Sequence, residues 1–262
     1  MLQELPKISV ITVCLNAEKV IGKTIKSVLG QSYSNLEYIV IDGGSADETK
    51  EIVRTFGGKI NCFVSEKDSG IYDAMNKGIR NATGDLLIFL NAGDYYISSN
   101  VLSYAISKMR LNRADVFFAR FIWEDISRHD IVLSDHASTQ FDWDLKRSNF
   151  PHPATFYKRT IFDRIGDFNV TYKILGDYEW NTKALIKHRI AFQYINIIIA
   201  FFSTDGMSND NRNKKLIEAE TNKIANQYFQ PLWLFDFLLK YSHSNFSKKL
   251  IAKVFSKRLN RI

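Results

Sequence analysis

The chain has 262 residues, 45% of them hydrophobic, and a net charge of +7. That length suits one large domain, or a domain with an appendage, around a sizeable core. No apolar run approaches the ~18–20 residues of a membrane span, no secretory h-region opens the chain, and two cysteines make no disulfide framework, so a membrane-spanning or disulfide-stapled protein is excluded and a cytoplasmic one expected.

The apolar run 8–13 predicts a first strand. Asn16 can cap a helix that carries Val20, Ile21, Ile25, Val28 and Leu29 on one face. Residues 37–41 predict a second strand, ending in Asp42-Gly43-Gly44-Ser45. A helix then starts near Asp47 and stops at Gly57-Gly58. Residues 60–64 predict a third strand, 66–70 a loop and 72–81 a helix. Cys14 and Cys62 both fall inside strand patterns, which predicts buried thiols.

Leu86-Leu87-Ile88-Phe89-Leu90 follows, started by Gly84 and ended by Asn91. It is apolar on both faces, as in the middle of a parallel sheet covered by helices. Its end delivers Asn91 and Asp94 to the edge where open α/β sheets bind ligands. Ser98 or Ser99 can cap the next helix, to about Leu111. After Ala114 the pattern changes. Residues 116–123 and 131–133 read as strands of a more mixed region. A loop with Pro151-His152-Pro153 follows, then a short helix near Arg159, a helix over 177–187 and a strand over 190–202. From Asn211 on, everything reads as helical, broken by Pro231.

The alternation of strand and helix predicts a parallel, doubly wound α/β sheet. No GxGxxG follows the first strand, so the usual dinucleotide fingerprint is absent. His129, His136 and His188 show no ligand spacing, and no Cys/His cluster suggests zinc.

The charge is concentrated at the end of the chain. Lys240, Lys248, Lys249, Lys253, Lys257, Arg258 and Arg261 carry the whole excess, with no Asp or Glu among them. They follow a segment with Phe229, Trp233, Phe235, Phe237 and Leu238. This is the composition of an interfacial helix drawn to an anionic membrane surface. It also suits a helix packed on its own domain or on a second subunit of a homo-oligomer. Nucleic acid is not expected, because no nucleic-acid fold accompanies the charge.

Six stretches recur in order: 6–12 (Pro-Lys-Ile-Ser-Val-Ile-Thr), 41–47 (Ile-Asp-Gly-Gly-Ser-Ala-Asp), 72–78 (Tyr-Asp-Ala-Met-Asn-Lys-Gly), 89–94 (Phe-Leu-Asn-Ala-Gly-Asp), 152–156 (His-Pro-Ala-Thr-Phe) and 176–180 (Gly-Asp-Tyr-Glu-Trp). As an ordered set the chain resembles a family 2 glycosyltransferase of the GT-A fold, over roughly residues 6–210. It most resembles bacterial enzymes that build surface polysaccharides and lipid-linked oligosaccharides. The resemblance implies a Rossmann-like, mostly parallel central sheet flanked by helices, with a C-terminal helical extension. It implies a nucleotide-sugar-binding half over 1–114, an acceptor-binding half over 115–210 and a basic helical tail over 211–262. The expected reaction moves a sugar from a nucleotide-sugar donor, taken as a UDP-sugar, to a saccharide or lipid-linked saccharide, with inversion. The site would face the cytoplasm, with the protein peripheral on the inner membrane face.

The resemblance also assigns residues. Asp42 is expected at the nucleotide base, where a carboxylate accepts from a uracil N–H or a ribose hydroxyl. The competing reading is an Asx-turn opening the next helix. Thr12 to Asn16 would wrap the other side of the base. Asp68 lines the nucleotide pocket, with Asn76 and Lys77 following on a helix. Lys77 can meet a phosphate as a point charge or stand as a solvated lysine. The family's Asp-x-Asp-Asp loop reads Asn91-Ala92-Gly93-Asp94 here. Asn91 is placed with the nucleotide and Asp94 is the one remaining carboxylate for Mg²⁺ or Mn²⁺, with phosphate oxygens and water completing the shell. The depleted loop motivates the alternative of a catalytically weak sugar-nucleotide-binding or scaffolding protein.

Asp177 matches the family's general base, which takes the proton of the attacking acceptor hydroxyl. Glu179 is the weaker candidate for that role. Trp180 either stacks on a sugar face or packs in the core. His152, between two prolines that stiffen its loop, would position acceptor or phosphate. Residues 205–208 resemble the Gly-rich lid that ends the family's catalytic region.

Overall fold

The structure is a computed structural model that describes residues 5–125, 130–134, 150, 152–204, 206–208 and 210–228. The aromatic segment and basic tail after residue 228, together with Pro151 and Asp205, lie outside the described residues. The chain divides into two compact units, Met1–Lys214 and Lys215–Ile262.

The first unit opens as the alternation predicts. Strands β1 (Ile8–Cys14), β2 (Leu36–Asp42), β3 (Cys62–Ser65) and β4 (Leu86–Phe89) pair in parallel, β3 on β2, β2 on β1 and β1 on β4. Helices α1 (Ile21–Leu29), α2 (Thr49–Thr55) and α3 (Ile71–Asn81) connect them. Every residue of β1 and β4 is buried, because helices cover both faces. Packing is close enough that a Cβ on Gly78 of α3 would overlap the Ile11 side chain of β1. A helical glycine costs about 1 kcal/mol against alanine, so its place here answers to that approach.

Beyond β4 the sheet turns mixed. Strand β5 (Tyr95–Tyr96) and helix α4 (Val101–Lys108) precede the hairpin of β6 (Val116–Asp125) with β7 (Asp130–Leu133). A 3₁₀ turn, His152–Ala154, leads into β8 (Thr155–Lys158), α5 (Thr160–Ile165) and α6 (Gly176–Thr182). A π-helical turn, Lys183–Lys187, ends that helix before β9 (Phe192–Phe202). The sheet order is β3-β2-β1-β4-β8-β6-β9-β5, with β7 on β6. β8 is antiparallel to both β4 and β6, and β6 is parallel to β9. The sequence reading leaves β8 and β5 as loop. Four and two residues are too short to display a period, and both strands exist through their partners' hydrogen bonds. In the second unit the described element is α7 (Lys214–Tyr228). No described helix is long and apolar enough to cross a membrane.

Local expectations fare unevenly. Asn16 does not cap α1, whose N-terminus has no side-chain cap. Its Oδ1 accepts instead from the Ala46 N–H at 2.9 Å, tying the loop after β1 to the loop after β2. Cys14 is buried, whereas Cys62, on the edge strand β3, is half-buried.

One polar network pins the lower edge of the parallel half. Glu37 is buried and accepts from Ser9 Oγ (2.5 Å), Lys7 Nζ (2.9 Å), Thr83 N (2.8 Å) and Thr83 Oγ1 (2.6 Å). Burial pushes its carboxyl up, but the hydrogen bonds from Ser9, Thr83 and Lys7 outweigh burial and hold it down at about 2. A depressed carboxylate contributes stability above its unfolded pKa and loses it as pH falls through the folded one. Urea unfolding should therefore show stability dropping from about pH 4.5 towards about 2, and Glu37→Gln should flatten that slope. Parallel slopes for both proteins would count against the network.

Candidate active site

The ends of β1 and β4, the turn before β8, the end of β9 and the start of α6 meet at one edge of the sheet. The loop after β4 is held there by backbone. Ala92 N–H donates to Val13 O (3.1 Å), Asp94 N–H to Asn91 O (3.0 Å) and Gly93 N–H to Thr24 Oγ1 (3.0 Å). Gly93 has φ 103°, which a side chain would strain. Thr24 of α1 in turn donates to Asp94 O at 2.8 Å. The Asp94 side chain is 3% exposed, and its Oδ1 accepts from Ser203 N–H at 2.8 Å, just past β9.

His152 stands at the centre. Its Nε2 lies 3.3 Å from Asp94 Oδ2 and 2.9 Å from Asn91 Nδ2, and its Nδ1 lies 3.8 Å from Asp177 Oδ2. Burial alone would push the imidazole down. The two carboxylates, Asp177 and Asp94, reverse that and raise it to about 9. A neutral ring accepts from the Asn91 amide at Nε2, and a protonated ring donates from Nε2 towards Asp94. Asn91 Oδ1 is buried with no hydrogen-bond partner among the described residues.

Asp177 is the second residue of α6 and 6% exposed. Its Oδ1 accepts from Tyr178 N–H at 2.9 Å and from Tyr72 OH at 3.0 Å. Asn91, Asp94, His152 and Asp177, separated by as many as 86 positions in the sequence, thus form one polar cluster. Tyr72 and Ser203 complete it and were not singled out from sequence. Tyr72 opens the Tyr-Asp-Ala-Met-Asn-Lys-Gly stretch, which was the available signal.

The remaining candidates do not join this cluster. Thr12 is buried, donates to Leu90 O at 2.7 Å and shares a 3.0 Å hydrogen bond with Tyr38 OH. It links β1 to β2 and to the end of β4. Asp42 is fully buried, and its carboxylate accepts from the Ser45 N–H and hydroxyl and from Ser65 Oγ at 2.7 Å. That is the geometry of the Asx-turn reading, with both carboxylate oxygens accepting hydrogen bonds from Ser45 or Ser65. Asn76 turns to the loop after α5. Its amide donates to Phe168 O (2.8 Å) and accepts from Phe168 N–H (3.0 Å), because α3 serves as the platform for the 166–176 loop. Lys77 pairs with Asp68 at 2.5 Å and Glu66 at 2.8 Å, so its charge is already met. Desolvation lowers its amine, and the hydrogen bonds to Asp68 and Glu66 more than restore it. Asp68 sits beside Gly43, where a Cβ would come within 2.9 Å of its Oδ2.

Trp180 takes the second of its two readings, packing in the core. It is 0% exposed, stacks on Phe162 at 4.7 Å, meets Tyr157 edge-on at 5.4 Å and donates Nε1–H to Gly166 O at 2.7 Å. It packs in the core and offers no face to a sugar. Glu179 is also buried, at 4% exposure, on the same short helix.

Among the described residues no group of three or more His, Cys, Asp or Glu could by itself hold a metal ion. The donor set is narrower but chemically apt. Asp94 supplies one carboxylate, and the partnerless Asn91 Oδ1 supplies one amide oxygen. Mg²⁺-type ions are commonly held by one or two protein oxygens, with substrate phosphates and water filling the shell. The residues present fit such an ion.

Comparison with known proteins places this arrangement. The model of the family described as glycosyl transferase family 2 matches residues 9–174. A glycosyltransferase of PGL/p-HBAD biosynthesis from Mycobacterium tuberculosis (strain ATCC 25177 / H37Ra) is 30% identical over 225 residues, covering 81% of this chain and 83% of that one. An uncharacterized glycosyltransferase from Rickettsia prowazekii is 29% identical over 184 residues, covering 66% of this chain and 57% of its own. Staphylococcus aureus TarS 1–349 in complex with UDP-GlcNAc superposes with a TM-score of 0.64 at 17% identity, over 91% of this chain and 74% of that one. The mannosyltransferase PcManGT from Pyrobaculum calidifontis, in complex with GDP-Man and Mn²⁺, gives 0.60 at 16% identity, over 97% and 81%. At such identities the two structures speak to the fold alone, which is GT-A. The family match runs from β1 into the 166–176 loop and takes in Asn91, Asp94 and His152, and the mycobacterial relative extends the likeness over four fifths of the chain: the protein belongs to glycosyl transferase family 2 and is a glycosyltransferase.

Proposed function

We propose that the protein transfers a sugar from a UDP-sugar to a saccharide or lipid-linked saccharide with inversion at the anomeric carbon. Residues 1–114 hold the donor and residues 115–210 the acceptor. The observation that carries this reading is the convergence of Asp94 and Asp177 on His152, 3.3 and 3.8 Å from its two ring nitrogens. One carboxylate then stands on the loop after β4, where a diphosphate would lie. The other stands at the start of a helix on the acceptor side. Asp177 takes the proton of the acceptor hydroxyl as that oxygen attacks opposite the leaving diphosphate. His152 stands between the two carboxylates, one beside each ring nitrogen. A Mg²⁺ or Mn²⁺ ion held by Asp94 and Asn91 would supply charge neutralisation at the diphosphate. The mycobacterial relative is named for PGL/p-HBAD biosynthesis, which supports a biosynthetic transfer reaction here.

Calorimetry with UDP, followed by a panel of UDP- and GDP-sugars, tests the donor assignment. UDP should bind, and Mn²⁺ should tighten it by about 10-fold in the wild type but not in Asp94→Ala, through one lost metal–carboxylate contact. Equal UDP affinity with and without Mn²⁺ in both proteins would remove the metal from the reading. Preference for GDP-sugars would overturn the UDP assignment.

The tail belongs to the same proposal on sequence grounds. Seven basic residues near an anionic leaflet are worth about 1 kcal/mol each, and the preceding aromatic residues add partitioning at the headgroups. Docking there confines the search for a membrane-embedded acceptor to a surface. Deleting residues 240–262 should abolish co-sedimentation with phosphatidylserine-containing vesicles and leave UDP binding intact. Continued pelleting of the truncated protein, or loss of a dimer instead, would make the tail a packing element.

A further inference from the structure

Tyr72 lies on the first turn of α3, in the parallel half of the sheet, and reaches across to the loop that precedes α6. Its hydroxyl lies 2.5 Å from Ile174 O and 3.0 Å from Asp177 Oδ1. One phenolic proton faces two acceptors, so the hydroxyl fixes the distance between the loop backbone and the carboxylate. The ring is 3% exposed, tilted against Phe168 at 5.8 Å. Gly176, immediately before Asp177, lies flat against it, and a Cβ there would come within 2.7 Å of the ring. The glycine is what lets the helix start this close to the phenol.

We infer that Tyr72 is a positioning residue for the general base, aiming the Asp177 carboxylate at the acceptor by a hydroxyl delivered from the donor side. The inference rests on Asp177 being that base. Titratable neighbours of Asp177 among the described residues include Tyr72 from α3, His152 from the turn before β8, and Tyr157 from β8. Burial and then the Asp177 charge hold the Tyr72 phenol well above its ordinary range, so it remains a proton donor wherever the enzyme works. Tyr157 is pushed up for the same two reasons and does not ionise against the base. His152 acts on the other oxygen, Oδ2, at ion-pair distance. Tyr72 therefore supplies the close directional contact to Oδ1 from outside the helix. Hydrogen bonds donated to a carboxylate favour its charged form, which is the form a base must hold before it takes a proton. The device also links the two halves of the site. A donor-side helix sets the aim of an acceptor-side carboxylate without touching either substrate.

The test compares wild type, Tyr72→Phe and Gly176→Ala, with the donor identified by the sugar-nucleotide panel and across roughly pH 5 to 9. Tyr72→Phe keeps the ring and its packing and removes the hydroxyl. Its kcat should fall about 10-fold, as misaimed catalytic groups do, while UDP affinity and donor KM stay within about twofold. The acid limb of its pH–rate profile should move up by about one pH unit. Gly176→Ala should push the phenol aside and shift the acid limb in the same direction. Acid limbs that coincide with the wild type in both variants overturn the inference. So does a loss of donor affinity that matches the loss of kcat, because the phenol would then act on the donor. Asp177→Asn separates the two claims. If that variant still turns over, the base assignment fails and this inference with it. If it is inactive while Tyr72→Phe behaves as wild type, the positioning role alone fails.

Discussion

Replacing Asp177 with Asn is expected to lower transfer by ~10²–10⁴-fold while leaving UDP binding and the melting temperature near those of the wild type. The amide is isosteric and still accepts from Tyr72 OH and from Tyr178 N–H, which lie 3.0 and 2.9 Å from Oδ1. What it loses is the capacity to take a proton. Its NH₂ would also face the His152 ring, where Oδ2 now stands at 3.8 Å, so the imidazole loses a counter-charge. The measurement is initial rate with saturating donor and acceptor, alongside UDP calorimetry. A variant that turns over within about threefold of wild type would remove Asp177 from the chemistry, since general base catalysis is worth more than that.

The second large effect concerns stability. Trp180→Ala should destabilise the protein by about 3–5 kcal/mol. The indole is fully buried among Tyr157, Phe162 and Phe168, at ring distances of 5.4, 4.7 and 5.9 Å, and its N–H satisfies Gly166 O. Removing it opens a cavity between the sheet and α5, and it strips the hydrogen bond from the end of that helix. Domains have only about 5–15 kcal/mol in hand, so the loss is a large fraction of the total. Trp180→Phe should cost less, since it retains most of the packing. Urea unfolding of the three proteins measures this directly. If Trp180→Ala unfolds at the wild-type midpoint but loses acceptor binding, the indole is a ligand contact after all.

The parallel half of the fold was legible because its signals are local. The runs at β1, β2 and β4 are bounded by Gly or Asn, and β1 and β2 are each followed directly by a helix. β8 was not legible. Thr155-Phe156-Tyr157-Lys158 is too short to display a period, and its existence depends on β4 and β6 lying on either side. The same division runs through the site. Asp94, His152 and Asp177 could be picked from the ordered motifs, yet nothing in their spacing says that one imidazole touches both carboxylates. Conversely, Asp42, Thr12 and Asn76 sit in the right stretches but turn inward. Each finds a hydrogen-bond partner from another strand or loop at 2.7–2.8 Å. Sequence position reports which edge a residue reaches, and only the tertiary neighbours decide which way its side chain is spent.

The attachment of the 166–176 loop to α3 has a consequence for variation. Asn76 grips Phe168 through its backbone N–H and C=O, and Tyr72 grips the backbone C=O of Ile174. Helix side chains thus hold the loop by backbone groups that every residue except proline possesses. The side chains that the loop presents to solvent, such as Val170, take no part in those three bonds. Exposed positions in this loop can therefore be exchanged without loosening the anchor that sets Asp177. Across divergent sequences, the surface beside Asp177 can drift while Asp177 keeps its place.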